Sequence, residues 1–235
     1  MKHKHQKIGI ILRLLWPALV AGTAIAGLFL QSGCSPGIIA VFGTPTGSET
    51  KIPAEYDITL QKGQKILVLV DVSSSLKAHP NLRFFLTDAI NKALQQQLKI
   101  KPEFLFDYDK IADYRSETSD FTMLSPEQVG SALGADLVLY VVVGDYRVTQ
   151  EGDSAYLAAS LDANASLIKI DTGQKLWPAV EASRLIQVGC ESERRGPDVV
   201  AIRLASAAAR CITRYLYNCP KNTFKISDER TSMGW

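Results

Sequence analysis

Asp71-Val72-Ser73-Ser74-Ser75 stands directly after the apolar run Ile66–Val70. A carboxylate and two hydroxyls at alternate positions are hard oxygen donors spaced to hold a divalent cation, as in metal-dependent adhesion loops. Gly144-Asp145, after a second apolar run, stands where another part of such a site would come. The threonine that completes the pattern has no counterpart, because Thr118 and Thr122 follow too soon after Asp71. Small hydroxyl residues at a strand end also serve turns, and that reading is preferred. Asp71, Ser73 and Ser75 remain the metal candidates, and no cofactor is expected.

Asp171-Thr172-Gly173 matches the triplet that aspartic proteases use in pairs, where two carboxylates share one proton. Only one copy is present, and Gln174 follows where a small residue is usual. A hairpin turn accounts for the Asp and the Gly. Histidine chemistry is narrower still. His3 and His5 lie in the N-terminal leader, so His79 is the one histidine of the body. A two-His metal site is thereby excluded, and a Ser–His–Asp or Cys–His arrangement would have to use His79. Its place before Pro80 reads as an exposed turn at a helix start. No catalytic residues are assigned, and the chain is expected not to be an enzyme.

Lys2, Lys4, Lys7 and Arg13 precede an uncharged stretch from Leu14 to Leu30, followed by Ser32-Gly33-Cys34. Three readings fit this N-terminus. The preferred one is a lipoprotein signal, cut before Cys34, whose thiol carries lipid. Ser32 and Gly33 suit that cleavage, whereas Gln31 stands where Leu is usual. The second is an uncleaved anchor, since seventeen residues reach roughly 25 Å as a helix. The third is secretion with cleavage at Ala24-Ile25-Ala26. Each places the body outside the cytoplasm, because the positive charge precedes the apolar run. Ser35 after the Cys favours an outer membrane, by the convention of one bacterial sorting system.

Removing residues 1–33 takes away four basic residues and no acidic ones. The chain's +2 becomes 22 basic against 24 acidic residues, or −2, so the basic balance belongs to the leader and implies no nucleic acid. With Cys34 lipidated, Cys190, Cys211 and Cys219 remain for an oxidising compartment, which predicts one disulfide and one thiol. Cys190 and Cys219 flank a long helix, so Cys190–Cys211 or Cys211–Cys219 is easier to close.

Pro36, Pro45 and Pro53, with four glycines, mark residues 34–64 as a flexible tether. The folded body is expected over 65–220, with a tail at 221–235. Ile66–Val70 reads as a strand covered on both faces. Leu82, Phe85-Leu86, Ala89-Ile90, Ala93-Leu94 and Leu98 recur at helical spacing. Phe104–Phe106 reads as a short strand and Asp109–Arg115 as a short helix. Ser125-Pro126-Glu127-Gln128 is a capped helix start, with Gly134 as its stop. Leu137–Val143 is a second buried strand. A strand from Ala155 to Ile170 turns at Asp171–Gln174 and returns as Lys175–Ile186. A last helix from Asp198 to Tyr217 buries Leu204, Ala208, Cys211, Ile212 and Tyr215 and shows Arg203, Arg210 and Arg214 to solvent. The order β-α-β-α-α-β-β-β-α predicts an α/β (α+β) domain, a single mixed sheet of about five strands with helices packed on it.

Three stretches carry a resemblance: Lys65–Val72, the block Leu124–Asp136 running into Leu137–Tyr140, and Asp171–Trp177. In this order they resemble the CsgG-like and TolB-N-terminal-like α/β domains of bacterial envelope lipoproteins, including penicillin-binding-protein activators. The resemblance covers roughly residues 60–220 and is similar above all to an uncharacterised branch of small lipoproteins. It implies an anchored, periplasmic or envelope location and an accessory role through a protein partner. It transfers no catalytic residue. A pore-forming member would need long amphipathic hairpins to build a membrane barrel, and the elements between Lys65 and Tyr217 already use the chain. The Arg203, Arg210 and Arg214 stripe is the candidate interaction surface. The alternative is a metal-dependent adhesion module on Asp71, Ser73 and Ser75.

Lipoprotein processing predicts a mature chain that begins at Cys34 and carries the mass of acyl chains. Mass spectrometry of the mature N-terminus reads this directly. A tryptic peptide that runs through Gly33 from an upstream residue would rule lipidation out.

Overall fold

The chain enters the fold earlier than its Pro- and Gly-rich composition predicts. The computed structural model describes residues 50–61, 63–73, 76, 79, 81–150, 156–193 and 196–224. The leader, Cys34, Ser75 and the tail from 225 lie outside the described residues. Within the tether expected over 34–64, Lys51–Ile52 forms strand β1, antiparallel to β7 (Cys219–Pro220). A 3-10 turn, Ile58–Leu60, follows, capped by Asp57 and burying Ile58. The boundary therefore moves to about residue 50. The cause is a polar anchor that local composition does not show. Glu55 accepts from the indole Nε1 of Trp177 at 2.8 Å and from Arg184 Nη2 at 2.6 Å.

Strand β2 (Ile66–Val72) buries five consecutive apolar residues, which requires cover on both faces. It pairs in parallel with β3 (Leu137–Gln150), from Ile66↔Leu137 to Val72↔Val143. β3 runs antiparallel to β4 (Tyr156–Lys169). Along its other edge β4 holds β6 (Arg184–Glu193) beside 156–165 and β5 (Lys175–Trp177) beside 167–168. The sheet is mixed and five-stranded, as expected, but two elements differ. The return strand is split into β5 and β6 because Pro178, after a cis peptide, has no N–H for the ladder. Phe104–Phe106 is a 3-10 turn, Pro102–Phe104, with one parallel bridge from Leu105 to Ile66, since Pro102 starts a turn.

Helices α1 (Asn81–Leu98) and α4 (Pro197–Thr213) cover one face. Leu82, Leu86, Ile90 and Leu94 from α1 meet Leu204, Ala208 and Ile212 from α4 over Val68, Leu139, Leu161 and Leu167. The alanines of α4 shorten the distance at which the two helices pack. On the other face, α2 (Tyr108–Glu117), α3 (Pro126–Leu133) and the 3-10 turn Phe121–Met123 between them bury Ile111, Val129 and Phe121 against Leu67, Leu69 and Val138. The capping box of α3 forms as read: Ser125 Oγ accepts from Gln128 N, and Gln128 Oε1 accepts from Ser125 N. Gly134 ends the helix at φ +74°. Gly130 lets α3 touch the sheet, since a Cβ there would lie 2.6 Å from Val138 Cγ2. No helix among the described residues is long and apolar enough to cross a membrane.

Replacing Glu55 with Ala leaves the fully buried Trp177 indole without its acceptor. An unsatisfied buried donor costs about 1–3 kcal/mol, read as a lower urea midpoint. An unchanged midpoint would show that residues 50–60 do not stabilise the domain.

Candidate functional site

The carboxyl end of β2 gathers a cluster of linked polar groups. Asp71 is half-buried, and both of its oxygens are engaged. Arg115 Nη2 donates to Oδ1 at 3.0 Å, and the Tyr140 hydroxyl donates to Oδ2 at 3.0 Å. The same Arg115 nitrogen lies 3.2 Å from Val70 O, and its guanidinium sits 4.4 Å from the centre of the Phe121 ring. Helix α2 is pinned to β2 by this one side chain, from an ion pair on one side and a ring face on the other. Arg83, in the first turn of α1, also feels this cluster. Burial, then the Arg115 charge, pulls its guanidinium below the ordinary value, while Asp71 supports it. Its Nε is buried without a hydrogen-bond partner.

This geometry revises the adhesion-loop reading. A cation bound at Asp71 would face the Arg115 guanidinium across the same carboxylate. The Ser73 N–H donates to Val143 O at 3.1 Å, prolonging the strand pairing. Gly144 sits at a bulge in the ladder, and Asp145 continues β3 beside Asp162 rather than forming a loop. Among the described residues no three His, Cys, Asp or Glu side chains converge on a common point for a metal.

The other expected residues fall in separate places. His79 is exposed, and its ring packs edge-on against Tyr146 at 4.8 Å. Asp171 sits in the hairpin turn, where the ion pair with Lys169 at 2.9 Å holds its carboxyl below the ordinary value. Gly173 supplies the positive φ of that turn. The disulfide expected among Cys190, Cys211 and Cys219 is not formed; all three are thiols. Cys190 lies on β6 opposite Ala159, whereas Cys211 comes near the far end of α4, about 20 Å along that helix. Cys219 lies on β7 opposite Ile52, with Sγ 3.3 Å from the Tyr217 hydroxyl. Burial pushes the Cys190 and Cys219 thiols up.

The arginine stripe is also divided. Arg203 and Arg210 are exposed, but Arg214 is 7% exposed. The helix ends at Thr213, and the following chain folds over Arg214. Its guanidinium lies 4.8 Å from the Tyr215 ring and 4.6 Å from the Phe224 ring, and it donates to Phe224 O at 3.3 Å. Tyr215 in turn carries Arg184 at 5.0 Å and packs on Trp177 at 5.9 Å.

A surface that the motifs did not mark emerges from the sheet. β2 stops opposite Val143, so β3 outruns it over Gly144–Gln150. There, β3, β4 and β6 form a three-stranded arm. Tyr146, Leu161 and Val188 face the helices and are buried. The opposite face shows the rows Arg147–Ser160–Gly189 and Thr149–Ala158–Glu191, with Asp145–Asp162–Gln187 below them. Arg147, Thr149, Ser160, Gln187 and Glu191 are exposed there, as is Leu185 at 54%. The arm lies at the opposite end of the strands from the β1–β7 pair. Leu167, beside Trp177, is about 35 Å from the level of Gln150 at the rise of a strand.

No family model matches the chain, and no curated protein matches it. Solved structures similar to it include lipoprotein GNA1162 from Neisseria meningitidis, 19% identical, covering 64% of this chain and 98% of that one at a TM-score of 0.40. The PelC dodecamer from Paraburkholderia phytofirmans is 11% identical, covering 71% and 96% at 0.37. A minor lipoprotein from Acinetobacter baumannii is 11% identical, covering 71% and 95% at 0.30. The functional reading below therefore rests on this chain's own residues.

Burial, then the Asp71 carboxylate, pushes the Tyr140 phenol up to about 12. An unfolded tyrosine ionises near pH 10 (roughly). Below that pH the phenol is neutral in both states and its contribution is complete. Above it the unfolded chain ionises first, so stability falls as pH rises toward 12. Tyr140→Phe should make the decline in urea midpoint above pH 10 shallower (pH chosen roughly at the unfolded value). An identical slope in both proteins would show that Tyr140 titrates as if exposed.

Proposed function

We propose that the chain is an extracytoplasmic envelope lipoprotein, attached through Cys34, whose α/β domain is a non-enzymatic interaction module. The observation that carries this reading is the placement of the arm. The segment arriving from the N-terminus is fastened at β1 and Glu55, at one end of the strands. The three-stranded arm projects at the other end, with one face built for helices and one open to solvent. A domain held at residues 51–55 at one end of its strands, with an open three-stranded surface at the other, suits an accessory protein that meets a protein partner through that surface. The CsgG-like and TolB-N-terminal-like resemblance of Lys65–Val72, Leu124–Tyr140 and Asp171–Trp177 supports the same class.

The metal candidate Asp71, the histidine His79 and the disulfide candidate Cys190 sit in structural surroundings. Asp71 holds Arg115 and Tyr140, His79 packs on Tyr146, and burial disfavours the Cys190 thiolate. Arg203 and Arg210 add a basic strip on α4, a secondary part of the interaction surface.

A photo-crosslinking residue placed at Arg147 or at Gln187 should give a discrete protein adduct in intact cells, recovered from the envelope fraction. The same residue at the exposed Met123, on the side of α2 and α3, serves as the comparison. No adduct at either arm position, with normal expression and localisation, would sink the interaction reading.

A further inference from the structure

The arm has two open edges, and they are not alike. Beyond Val143, the edge of β3 is approached by the chain that leaves β2, whose His79 ring packs on Tyr146. β6 pairs with β4 alone, and among the described residues no other strand pairs with it. Val143 O accepts from Ser73 N, so the backbone of Val143 points to β2 and that of Ala163, opposite it, points to β6. Ala163 in turn pairs with Ile186, whose backbone points back into β4. By alternation along β6, the N–H and C=O groups of Leu185, Gln187, Gly189 and Glu191 point outward. No described turn or loop bonds to them through its backbone. Native proteins blunt such an edge with Pro, Lys or a bulge. From Arg184 to Glu193 there is neither Pro nor Lys, and all 10 residues follow β4 in unbroken register.

We propose that the arm takes its partner by strand addition: an extended segment of a protein partner pairs antiparallel with the outer edge of β6. This rests on the reading of the arm as the interaction surface and names how that surface binds. Main-chain bonds to the outward residues supply the affinity, and the side chains beside them supply the selectivity. Those side chains lie on the solvent face of the arm and define the segment. Glu191 is exposed, and its row, Thr149–Ala158–Glu191, contains no cation. A Lys or Arg opposite it completes the row, since opposite charges pair directly across strands. Gly189 leaves a gap in the next row, which an aromatic ring on the added strand covers. Leu185, 54% exposed, takes an apolar residue. The segment therefore reads basic, aromatic, polar and apolar at alternate positions, opposing Glu191, Gly189, Gln187 and Leu185 in that order.

The test is fluorescence anisotropy of a labelled peptide, Thr-Lys-Thr-Phe-Thr-Thr-Thr-Val-Thr, titrated with the full chain in a non-ionic detergent. A scrambled peptide of the same composition is the blank. The expected result is saturable binding of the first peptide only. Gln187→Pro removes one outward N–H and leaves the bonds to β4, because Pro is tolerated where an edge N–H faces solvent. It should weaken binding about tenfold, with the urea midpoint as the check on folding. Glu191→Lys is the second variant. It should weaken binding of the Lys peptide about threefold and recover it with a peptide carrying Glu in place of that Lys. No saturable binding by the unmodified chain overturns the proposal, as does equal binding by both variants. So does a dimer of the unmodified chain that Gln187→Pro converts to monomer, since a second copy then occupies the edge. An adduct at Arg147 in cells without peptide binding strikes strand addition and leaves the arm as the contact surface.

Discussion

Strand β3 has to satisfy two different environments along one continuous ladder, and the rest of the domain is arranged around that demand. From Leu137 to Val143 it pairs with β2 on one side and β4 on the other, and its side chains are buried or half-buried on both faces. Such a segment is stable only with helices above and below. α1 and α4 supply one layer, and α2 and α3 the other. Past Gly144 the residues alternate, with Tyr146 and Val148 turned to the helices and Arg147 and Thr149 to solvent. One covered face is then sufficient. The bulge at Gly144 marks the change, at the point where β2 ends.

Two carboxylates then close the two ends. Asp71 gathers Arg115, Tyr140 and the field of Arg83 at the carboxyl end of β2. Glu55 gathers Trp177 and Arg184 at the other end. They differ in what they join. Asp71 fastens a helix to the strand beside it. Glu55 fastens the incoming N-terminal segment to a hairpin more than a hundred residues later in the chain. Around it, Arg184 and Arg214 lie on the ring of Tyr215, so charge and aromatic surface share the same partly buried place. Arg214 shows how position on a helical face can mislead. It continues the spacing of Arg203 and Arg210, yet the chain after Thr213 turns and covers it.

The functional picture follows from polarity of placement more than from any motif. Residues 51–55 are fastened at one end of the strands, and the three-stranded arm stands open at the other. The polar groups at the carboxyl end of β2 form a second, smaller feature on the other layer. Elsewhere, His79 packs on Tyr146 and Asp171 pairs with Lys169 in a hairpin turn.

Residues that act within a turn or two of themselves were legible from the sequence. Ser125 and Gln128 define a cap, Asp171–Gly173 a turn, Ile66–Val70 a doubly covered strand and Leu82–Leu98 a helix face. These determine the element order and the mixed α/β class, because helix and strand periods and turn angles are local properties. The run of charge and then of apolar residues before Cys34 is legible for the same reason. Tertiary structure decided the rest. Asp71 meets Arg115 and Tyr140 across 44 and 69 positions, and Glu55 meets Trp177 across 122. No local spacing encodes those pairs, since they exist only once parallel β2 and β3 and the helices between them bring the groups together. The arm is of the same kind. Its polar rows align only through the register of three strands, and their exposure depends on where the covering helices stop.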